Sequence, residues 1–325
     1  MKAVICNKYG SPDNLTIGEV EKPAPTKNEV LVKIHVSTVT TGDCRIINFD
    51  WPYWFWIPGR LMFGITKPRR KTPGWELAGE IESIGSNVSN LKKGDFIFGY
   101  TEGMSFGGTN AEYKSISASR LVKINPYEIA PEKAAVLPIG GLTALYLLRK
   151  AKLVPGQKVL IYGASGSVGT FAIQIAKLFG AEVTAVCSQK NHELVKSLGA
   201  DKVINYTKED FTKNGVKYDA IFDTVSKISY TKVRRSITEV GVYLTVDWPL
   251  HHAMLAALTG KQKLFVGMVD ENINDLIYLK DLVQEGKLNP FIDKSYSLDE
   301  AVEAYKYVST GRKRGNIVIN NSERD

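Results

Sequence analysis

The sequence predicts an α/β protein with two domains, and three observations support this prediction. First, 325 residues correspond to about two domains of the usual ~150 residues. Second, short β-type segments separated by turns with Pro or Gly occupy the chain up to about residue 125, which predicts an irregular, barrel-like β domain. Third, strand-like and helix-like segments alternate after that residue, and this alternation predicts a doubly wound parallel sheet.

The individual elements follow from β-type composition, apolar periodicity and turn residues. In the first part, the predicted strands are Ala3–Cys6, Glu29–Val36, Gly79–Ile84 and Asp95–Tyr100. In the second part, the predicted strands are Lys158–Tyr162, Glu182–Cys187, Lys202–Asn205, Tyr218–Val225, Val242–Val246 and Leu264–Val266. The predicted helices there are Val168–Phe179, His192–Leu198 and Asn274–Glu285.

The C-terminal segment predicts a return to the first domain. A capping box, Ser297-x-x-Glu300, predicts the start of another helix. Residues Asn316–Ile319 then predict a last strand that rejoins the N-terminal unit. We therefore expect one domain from residues 1–124 and 290–325, and a second domain from residues 125–289.

Composition and termini indicate a soluble chain. Hydrophobic residues make up 44% and charged residues 23%, as in ordinary globular proteins. The three cysteines, Cys6, Cys44 and Cys187, show no Cys-x-x-Cys spacing, which predicts buried thiols in a reducing compartment. The first residues lack the apolar core of a signal peptide, and no apolar run reaches the ~18 residues of a membrane span. These features predict a cytoplasmic protein without a membrane partner.

The charge balance favours anionic ligands of small size. Lysine and arginine number 42 and acidic residues 34, so the formal net charge is 42 − 34 = +8. The basic residues are spread along the chain and carry no recognised nucleic-acid motif, so we expect no nucleic-acid partner.

A glycine-rich loop is the sharpest motif in the chain. The predicted strand ends at Tyr162, and Gly163-x-x-Gly166-x-x-Gly169 leads into the predicted helix. Here Gly163 permits a tight turn, Gly166 lets the backbone approach a pyrophosphate, and Gly169 lets the helix pack against the strand. Because both flanking elements are in place, the motif predicts dinucleotide binding rather than an ordinary turn. The predicted binding loop consists of Gly163, Ala164, Ser165, Gly166, Ser167, Val168 and Gly169, with Ala164 where the usual motif has its second glycine.

The end of the second strand in this domain predicts the type of dinucleotide. An NAD-binding protein usually places Asp or Glu there to hold the ribose 2′-hydroxyl. This chain has Cys187-Ser188-Gln189-Lys190 instead. We expect Ser188 and Lys190 to bind the 2′-phosphate of NADPH, and Tyr206 to reach that phosphate or the adenine edge. The alternative is that Lys190 is only a solvated surface cation.

Together these features resemble the medium-chain dehydrogenase/reductase superfamily and, within it, the zinc-independent quinone oxidoreductase-like branch. The resemblance covers nearly the whole chain. Its further motifs are Pro73-Gly74-Trp75-Glu76-x-Ala78-Gly79-Glu80, Lys93-Gly94-Asp95, Gly107-Gly108-Thr109-x-Ala111-Glu112-Tyr113, Ala134-Ala135-Val136-Leu137-Pro138, Gly141-Leu142-Thr143-Ala144, Leu198-Gly199-Ala200-Asp201 and Gly311–Ile319. The resemblance implies a GroES-like β-barrel catalytic domain, a Rossmann domain that binds NADPH, an active site in the cleft between them, and a homodimer.

The same resemblance argues against a metal. Zinc-dependent members carry Cys and His ligands at the positions that Thr40 and Trp75 occupy here, and neither residue offers a thiolate or an imidazole. Cys44, Asp43 and Glu76 lie near these positions in sequence but do not form the family's ligand set. We therefore expect no zinc site, catalytic or structural.

The resemblance and local chemistry give a short set of catalytic candidates. Thr40 stands where zinc-independent relatives often have Asn, and Asp43 matches a family position but is equally suited to capping the next helix. Tyr53, Thr40 and backbone amides near Val246 and Val266 are candidate donors to a substrate oxygen, and Val246 and Val266 are also expected to contact the cofactor.

Thr143 matches a family position beside the nicotinamide ribose and is also suited to capping a helix start. The aromatic segment Trp51–Pro58 is interpreted as a wall of the substrate cleft, or as a packing or dimer contact. A membrane-surface role is disfavoured here, because Pro52 and Pro58 should disrupt an amphipathic helix.

The resulting hypothesis is a metal-free, NADPH-dependent reductase of quinones or of the C=C bond of α,β-unsaturated carbonyls. Such substrates need hydrogen-bond donors at the carbonyl oxygen and a proton from water or a tyrosine, but no Lewis acid. One alternative is a metal-free NADP-dependent alcohol or carbonyl oxidoreductase. Another is an NADPH-binding regulatory protein without turnover. The sequence does not specify the physiological substrate.

Overall fold

The chain folds as two compact units in the computed structural model. The model describes residues 1–102, 106–246, 262–267 and 272–321. The first unit contains Met1–Pro138 and Ile292–Asp325, and the second contains Ile139–Phe291.

Fifteen strands and nine α-helices lie in the described ranges. The strands are β1 (Lys2–Cys6), β2 (Leu15–Glu19), β3 (Glu29–Thr38), β4 (Glu76–Ile84), β5 (Phe96–Tyr100), β6 (Tyr113–Ser117), β7 (Leu121–Lys123), β8 (Lys158–Tyr162), β9 (Glu182–Cys187), β10 (Lys202–Asn205), β11 (Tyr218–Asp223), β12 (Ile237–Thr245), β13 (Lys263–Val266), β14 (Ile292–Ser297) and β15 (Asn316–Asn320). The helices are α1 (Thr41–Asn48), α2 (Tyr53–Phe63), α3 (Pro131–Ala135), α4 (Leu142–Ala151), α5 (Ser167–Leu178), α6 (His192–Ser197), α7 (Tyr230–Val233), α8 (Ile273–Gln284) and α9 (Ala301–Ser309).

The first unit is built on a mostly antiparallel sheet. Its strand order is β14-β15-β3-β4-β5-β7, and β6 pairs with β3 beside that path. Strand β3 pairs with β15, β4 and β6, so the unit depends on it. Because β15 is antiparallel to β3, the predicted return of the C-terminal strand is confirmed. The capping box of Ser297 and Glu300 is also present and leads into α9.

The first unit extends further along the chain than the sequence predicts. The expected boundary lies at residue 125, whereas the structure divides the chain after Pro138. The physical reason is helix α3, which packs against strands β3, β4 and β5. Its residues Ala134 and Ala135 are fully buried, so this helix belongs to the first unit.

The second unit is a six-stranded parallel sheet with the order β10-β9-β8-β11-β12-β13. The strand order reverses between β8 and β11, which is the arrangement of a doubly wound sheet. The register places the carboxyl ends of five strands along one edge, at Tyr162, Val186, Asp223, Thr245 and Val266. In such a sheet, ligands bind outside the carboxyl ends at the point of reversal.

Local sequence explains the central strand and helix of this sheet. Val159, Leu160 and Ile161 of β8 are completely buried, as expected for a strand covered on both faces. Helix α5 follows with a buried face that includes Phe171 and Ala172. The predicted helix Val168–Phe179 is therefore confirmed, with its bounds shifted by one residue.

The aromatic segment after α1 is helical, so the prediction that its prolines would disrupt a helix is wrong. Pro52 is the residue that precedes α2, where its fixed φ of −55° is harmless. Pro58 lies inside α2 and removes one internal hydrogen bond. Burial of Gly59 and Phe63 against the first unit stabilises the helix despite this loss. In the described ranges, no helix combines the length and apolar character that crossing a bilayer requires.

Candidate active site

The glycine-rich loop lies at the carboxyl end of β8, next to the point of strand reversal. Gly163 has a φ of +78°, and a Cβ atom there would lie 2.7 Å from Thr224 Oγ1. A Cβ atom at Gly169 would lie 2.4 Å from the carbonyl oxygen of Gly163. The tight turn at Gly163 and the close helix–strand approach at Gly169 are therefore confirmed by geometry.

Gly166 is different, because its missing side chain leaves open space. It is the N-cap residue of α5, with extended backbone, and no side chain caps this helix end. A Cβ atom there would meet only the Gly163 carbonyl oxygen, at 3.4 Å, which is an ordinary contact distance. The N-terminal turn of α5 thus presents its amides on an accessible side, as binding of a phosphate group requires.

Polar residues after β9 and β10 are brought beside this loop. Ser188 follows β9 directly, and the exposed Lys190 lies in the next turn. The amide of Tyr206 donates to the Cys187 carbonyl oxygen at 3.4 Å, which holds Tyr206 at the same edge. No acidic residue occupies positions 187–192. These residues fit a nucleotide with a 2′-phosphate better than one with a free 2′-hydroxyl.

Asn191 connects these two parts of the site, and the sequence reasoning did not single it out. Its side-chain amide nitrogen donates to Ser165 Oγ at 2.8 Å and to Ser188 Oγ at 3.3 Å. Its Oδ1 atom is buried and has no hydrogen-bond partner among the described residues, and the same holds for His192 Nε2. An Asn before a helix normally signals a cap, but this side chain does not cap α6. The orphaned Oδ1 is an acceptor that a ligand hydroxyl can satisfy.

The turn after β11 forms the other side of the reversal point and was also missed. Thr224 Oγ1 is within hydrogen-bond distance of the carbonyl oxygens of Tyr162 and Gly163, at 2.9 and 3.1 Å. Asp223 accepts from the amides of Val225 and Ile228, and burial raises the pKa of its carboxyl group. These contacts hold the β11 turn against the glycine-rich loop.

The second unit also contains three further residues that the sequence predicts as cofactor contacts: Val246, Val266 and Thr143. The amide of Val246 donates to the Asp223 carbonyl oxygen at 3.4 Å, and the expected substrate donors near it stay a prediction. Val266 ends β13 and is paired with Thr245. Thr143 is buried in the first turn of α4. Its expected capping role is wrong, because α4 continues directly from a helical turn at residues 137–141 and has no side-chain cap.

In the first unit, Thr40 and Asp43 form a capping box at the start of α1. The Thr40 hydroxyl donates to Asp43 Oδ2 at 2.7 Å and accepts from the Asp43 amide at 3.2 Å. The amides of Thr40 and Gly74 also donate to the Asp43 carboxylate, at 3.0 and 2.9 Å. The capping interpretation of Asp43 is confirmed. In this arrangement the Thr40 hydroxyl proton is already used and is not presented to a substrate.

Asp43 is fully buried, and desolvation raises the pKa of its carboxyl group to about 6. The hydrogen bonds from Thr40 and Gly74 act in the opposite direction, because they favour the ionised form. Through Gly74, this carboxyl group positions the segment that leads to Trp75 and Glu76.

At and near the positions where zinc-dependent family members carry their ligands, the side chains of this chain pack against or bond to other protein groups. The Trp75 ring packs over Gly42, where a Cβ atom would lie 2.3 Å from the ring. The buried Glu76 accepts from Thr38 Oγ1 at 2.6 Å, and burial raises the pKa of the Cys44 thiol to about 12. Among the described residues, no group of three His, Cys, Asp or Glu side chains is arranged to hold a metal ion. Tyr53, the other predicted donor, begins α2 and is 98% exposed.

Comparisons with known proteins agree with this architecture. The model of the alcohol dehydrogenase GroES-like domain matches residues 26–126, and that of the zinc-binding dehydrogenases matches residues 198–319. The chain is 33% identical over 335 residues to the chloroplastic quinone-oxidoreductase QR1 of Triphysaria versicolor, covering 98% of both chains. It is 29% identical to the chloroplastic NADPH-dependent alkenal/one oxidoreductase of Arabidopsis thaliana, covering 98% of this chain and 79% of the relative. The quinone oxidoreductase of Coxiella burnetii superposes with a TM-score of 0.90 at 30% identity over 99% of each chain.

The chain therefore belongs to the medium-chain dehydrogenase/reductase superfamily, in its quinone oxidoreductase-like branch. Its first unit is the GroES-like domain and its second is the Rossmann domain. The protein is an oxidoreductase.

The loop geometry predicts opposite effects for two glycine substitutions. In Gly166→Val the new side chain enters the open space beside the α5 N-terminus, so NADPH affinity should fall while the melting temperature changes little. Loss of two charge-assisted hydrogen bonds at ~1.5–3 kcal/mol each corresponds to about a hundredfold or more in affinity. Calorimetric titration with NADPH measures this effect.

Gly169→Ala is the matched comparison, because its Cβ atom would collide with backbone rather than enter open space. It should lower the free energy of unfolding by about 1–3 kcal/mol. An unchanged NADPH affinity in Gly166→Val would show that the phosphate site lies elsewhere.

The raised pKa of Asp43 predicts a pH-dependent effect of Asp43→Asn. The native state holds this proton more tightly than the unfolded chain, so the contribution of Asp43 to stability falls as the pH rises from about 4 to about 6. The variant lacks this titration. The stability lost on substitution should therefore be larger near pH 4 than near pH 7, by up to about 3 kcal/mol.

Urea unfolding at both pH values measures the difference, with Asp50→Asn as the control for an exposed acid that follows the same helix. A loss of stability that grows toward neutral pH would mean that the three hydrogen-bond donors outweigh burial at Asp43.

Proposed function

We propose that this protein is an NADPH-dependent, metal-independent reductase of quinones or of the C=C bond of α,β-unsaturated carbonyl compounds. The observation that carries the proposal is the edge of the second unit where Asn191 joins the glycine-rich loop to Ser188, in the turn that also carries the exposed Lys190. The quinone oxidoreductase and alkenal/one oxidoreductase among its relatives support the substrate class.

The chain offers a fitting group for each part of the cofactor. The amides at the start of α5 suit the pyrophosphate, and Ser188 with Lys190 suits the 2′-phosphate. Tyr206 is the proposed contact at the adenosine end, and Thr143, Val246 and Val266 are the other proposed cofactor contacts. When bound, the nicotinamide ring supplies a hydride.

Metal independence rests on the residue types at the family's ligand positions. Neither Thr40 nor Trp75 can supply a zinc ligand of the usual type, and the Thr40 hydroxyl donates to Asp43. A quinone or enone accepts hydride at carbon, and its carbonyl oxygen then needs a hydrogen-bond donor and a proton. The exposed Tyr53 hydroxyl and the backbone amides near Val246 and Val266 stay the candidate donors, whereas the Thr40 hydroxyl already donates to Asp43.

Oxidation of NADPH tests the proposed function directly. Purified protein should oxidise NADPH with a benzoquinone and with a simple enone, and more slowly with an unconjugated aldehyde. Activity should persist after chelation, and the protein should hold no stoichiometric zinc.

Faster turnover with an alcohol and NADP⁺, or with an unconjugated aldehyde and NADPH, than with any quinone or enone would favour the alternative of an alcohol or carbonyl oxidoreductase. NADPH binding without oxidation across the whole panel would favour a regulatory protein. The homodimer and the cytoplasmic location expected from the sequence stay predictions.

The cofactor preference predicts a selective effect of Lys190→Ala. If Lys190 binds the 2′-phosphate, removal of one charge-assisted hydrogen bond should lower NADPH affinity about tenfold or more and leave NADH affinity nearly unchanged. Since Lys190 is exposed, the loss should be smaller at high salt. Fluorescence titration with both cofactors, at low and high salt, measures these effects.

Lys196→Ala provides the control, because Lys196 is an exposed lysine at the far end of α6. It should leave both affinities unchanged. Equal losses of NADPH and NADH affinity in Lys190→Ala, or no loss of either, would make Lys190 a solvated surface cation.

A further inference from the structure

Helix α2 is apolar on both of its faces. Ten of its eleven residues are uncharged, and these include four aromatic residues in succession, Tyr53, Trp54, Phe55 and Trp56. One face packs inward through Phe55, Gly59 and Phe63, which are spaced four residues apart. This face accounts for the docking of the helix on the first unit.

The opposite face is exposed to solvent. Ile57 and Leu61 are also spaced four residues apart, so they form one stripe, in which Ile57 is 72% and Leu61 59% exposed. Trp54 lies beside this stripe, and Ile65 extends it beyond the helix with 67% exposure. A surface helix normally carries polar residues on this face. A contiguous apolar patch of this kind marks an interaction surface.

The stripe is held in place by the only charged residue of the helix. The Arg60 guanidinium lies 3.9 Å from the Phe49 ring centroid and 4.7 Å from that of Tyr9. The same side chain donates to the Ile65 carbonyl oxygen at 2.8 Å. Arg60 therefore points toward the unit and fixes the loop after α2, while the apolar stripe faces outward.

A basic segment, Lys67–Lys71, follows the apolar stripe. Its four charged residues, Lys67, Arg69, Arg70 and Lys71, are all exposed. The Arg69 amide donates to the Phe63 carbonyl oxygen at 2.8 Å, which folds the segment back against the end of α2. Residues 51–75 contain five basic residues and no acidic one. The whole surface is therefore apolar and positively charged.

We propose that the apolar stripe and the basic segment together form a docking surface for an anionic lipid bilayer. Aromatic and aliphatic side chains of a helix enter the headgroup boundary, and adjacent lysines and arginines bind the lipid phosphates. A second copy of this chain fits less well, because a symmetric contact would bring two basic segments toward each other. The inference does not rest on the proposed function, since docking requires no turnover.

Vesicle sedimentation of the full-length protein tests the proposal. The protein should bind vesicles of phosphatidylcholine with phosphatidylglycerol far more strongly than vesicles of phosphatidylcholine alone, and high salt should weaken binding. The double variant Leu61→Glu/Ile65→Glu should lower the partition coefficient on the order of a hundredfold. Replacing Lys67, Arg69, Arg70 and Lys71 by Gln should lower it about fivefold for each residue.

Tyr127→Glu is the matched control, because Tyr127 is a 97% exposed aromatic residue of the same unit outside this surface. It should bind vesicles like the unchanged protein. Melting temperature and NADPH oxidation verify that each variant is folded, and the glutamine variant decides the matter if the glutamate variant does not fold.

Failure of the unchanged protein to bind anionic vesicles would overturn the proposal. So would equal binding to neutral vesicles, or unaltered binding by both folded variants. Sedimentation velocity adds a further arm: a dimer that Leu61→Glu/Ile65→Glu converts to monomer, without vesicle binding, would assign the surface to a contact between copies.

Discussion

Helix α5 approaches the end of strand β8 so closely that any side chain at Gly169 would collide with the Gly163 carbonyl oxygen. This backbone contact determines where the N-terminus of α5 lies, at the carboxyl edge of the parallel sheet and beside the reversal of strand order. At Gly166, by contrast, a Cβ atom would meet only the Gly163 carbonyl oxygen, at 3.4 Å, so the backbone there is open. The phosphate site proposed for the second unit depends on this approach.

The surrounding contacts stabilise that geometry from two sides. Thr224 holds the β11 turn against the carbonyl oxygens of the loop, and Asn191 joins the loop to the turn after β9. Both side chains add hydrogen bonds between segments that backbone hydrogen bonds already hold close together. A nucleotide would therefore meet a preorganised site, which reduces the entropy lost on binding.

In the first unit, the side chain of one buried carboxyl group also holds two segments of the chain together. Asp43 begins α1 through its capping box and also accepts from the Gly74 amide, so one side chain joins two segments. Burial removes the Asp43 carboxyl group from water, and this desolvation raises its pKa. Thr40 and Asp43 hydrogen-bond to each other, so their geometry here is that of a support for the chain.

Local properties of this protein were determined by the sequence alone. The strands of the second unit, helix α5 and the return of the C-terminal strand follow from apolar periodicity and glycine spacing, because each depends on residues close in the chain. The sequence also shows directly that no Asp or Glu follows strand β9 at positions 188–192. Only the tertiary structure decided that Asn191 bonds Ser165 instead of capping α6, that Asp43 reaches Gly74, and that α2 forms despite Pro58. These outcomes depend on hydrogen bonds and burial between segments distant in sequence, and the packing that stabilises α2 also leaves its second apolar face exposed.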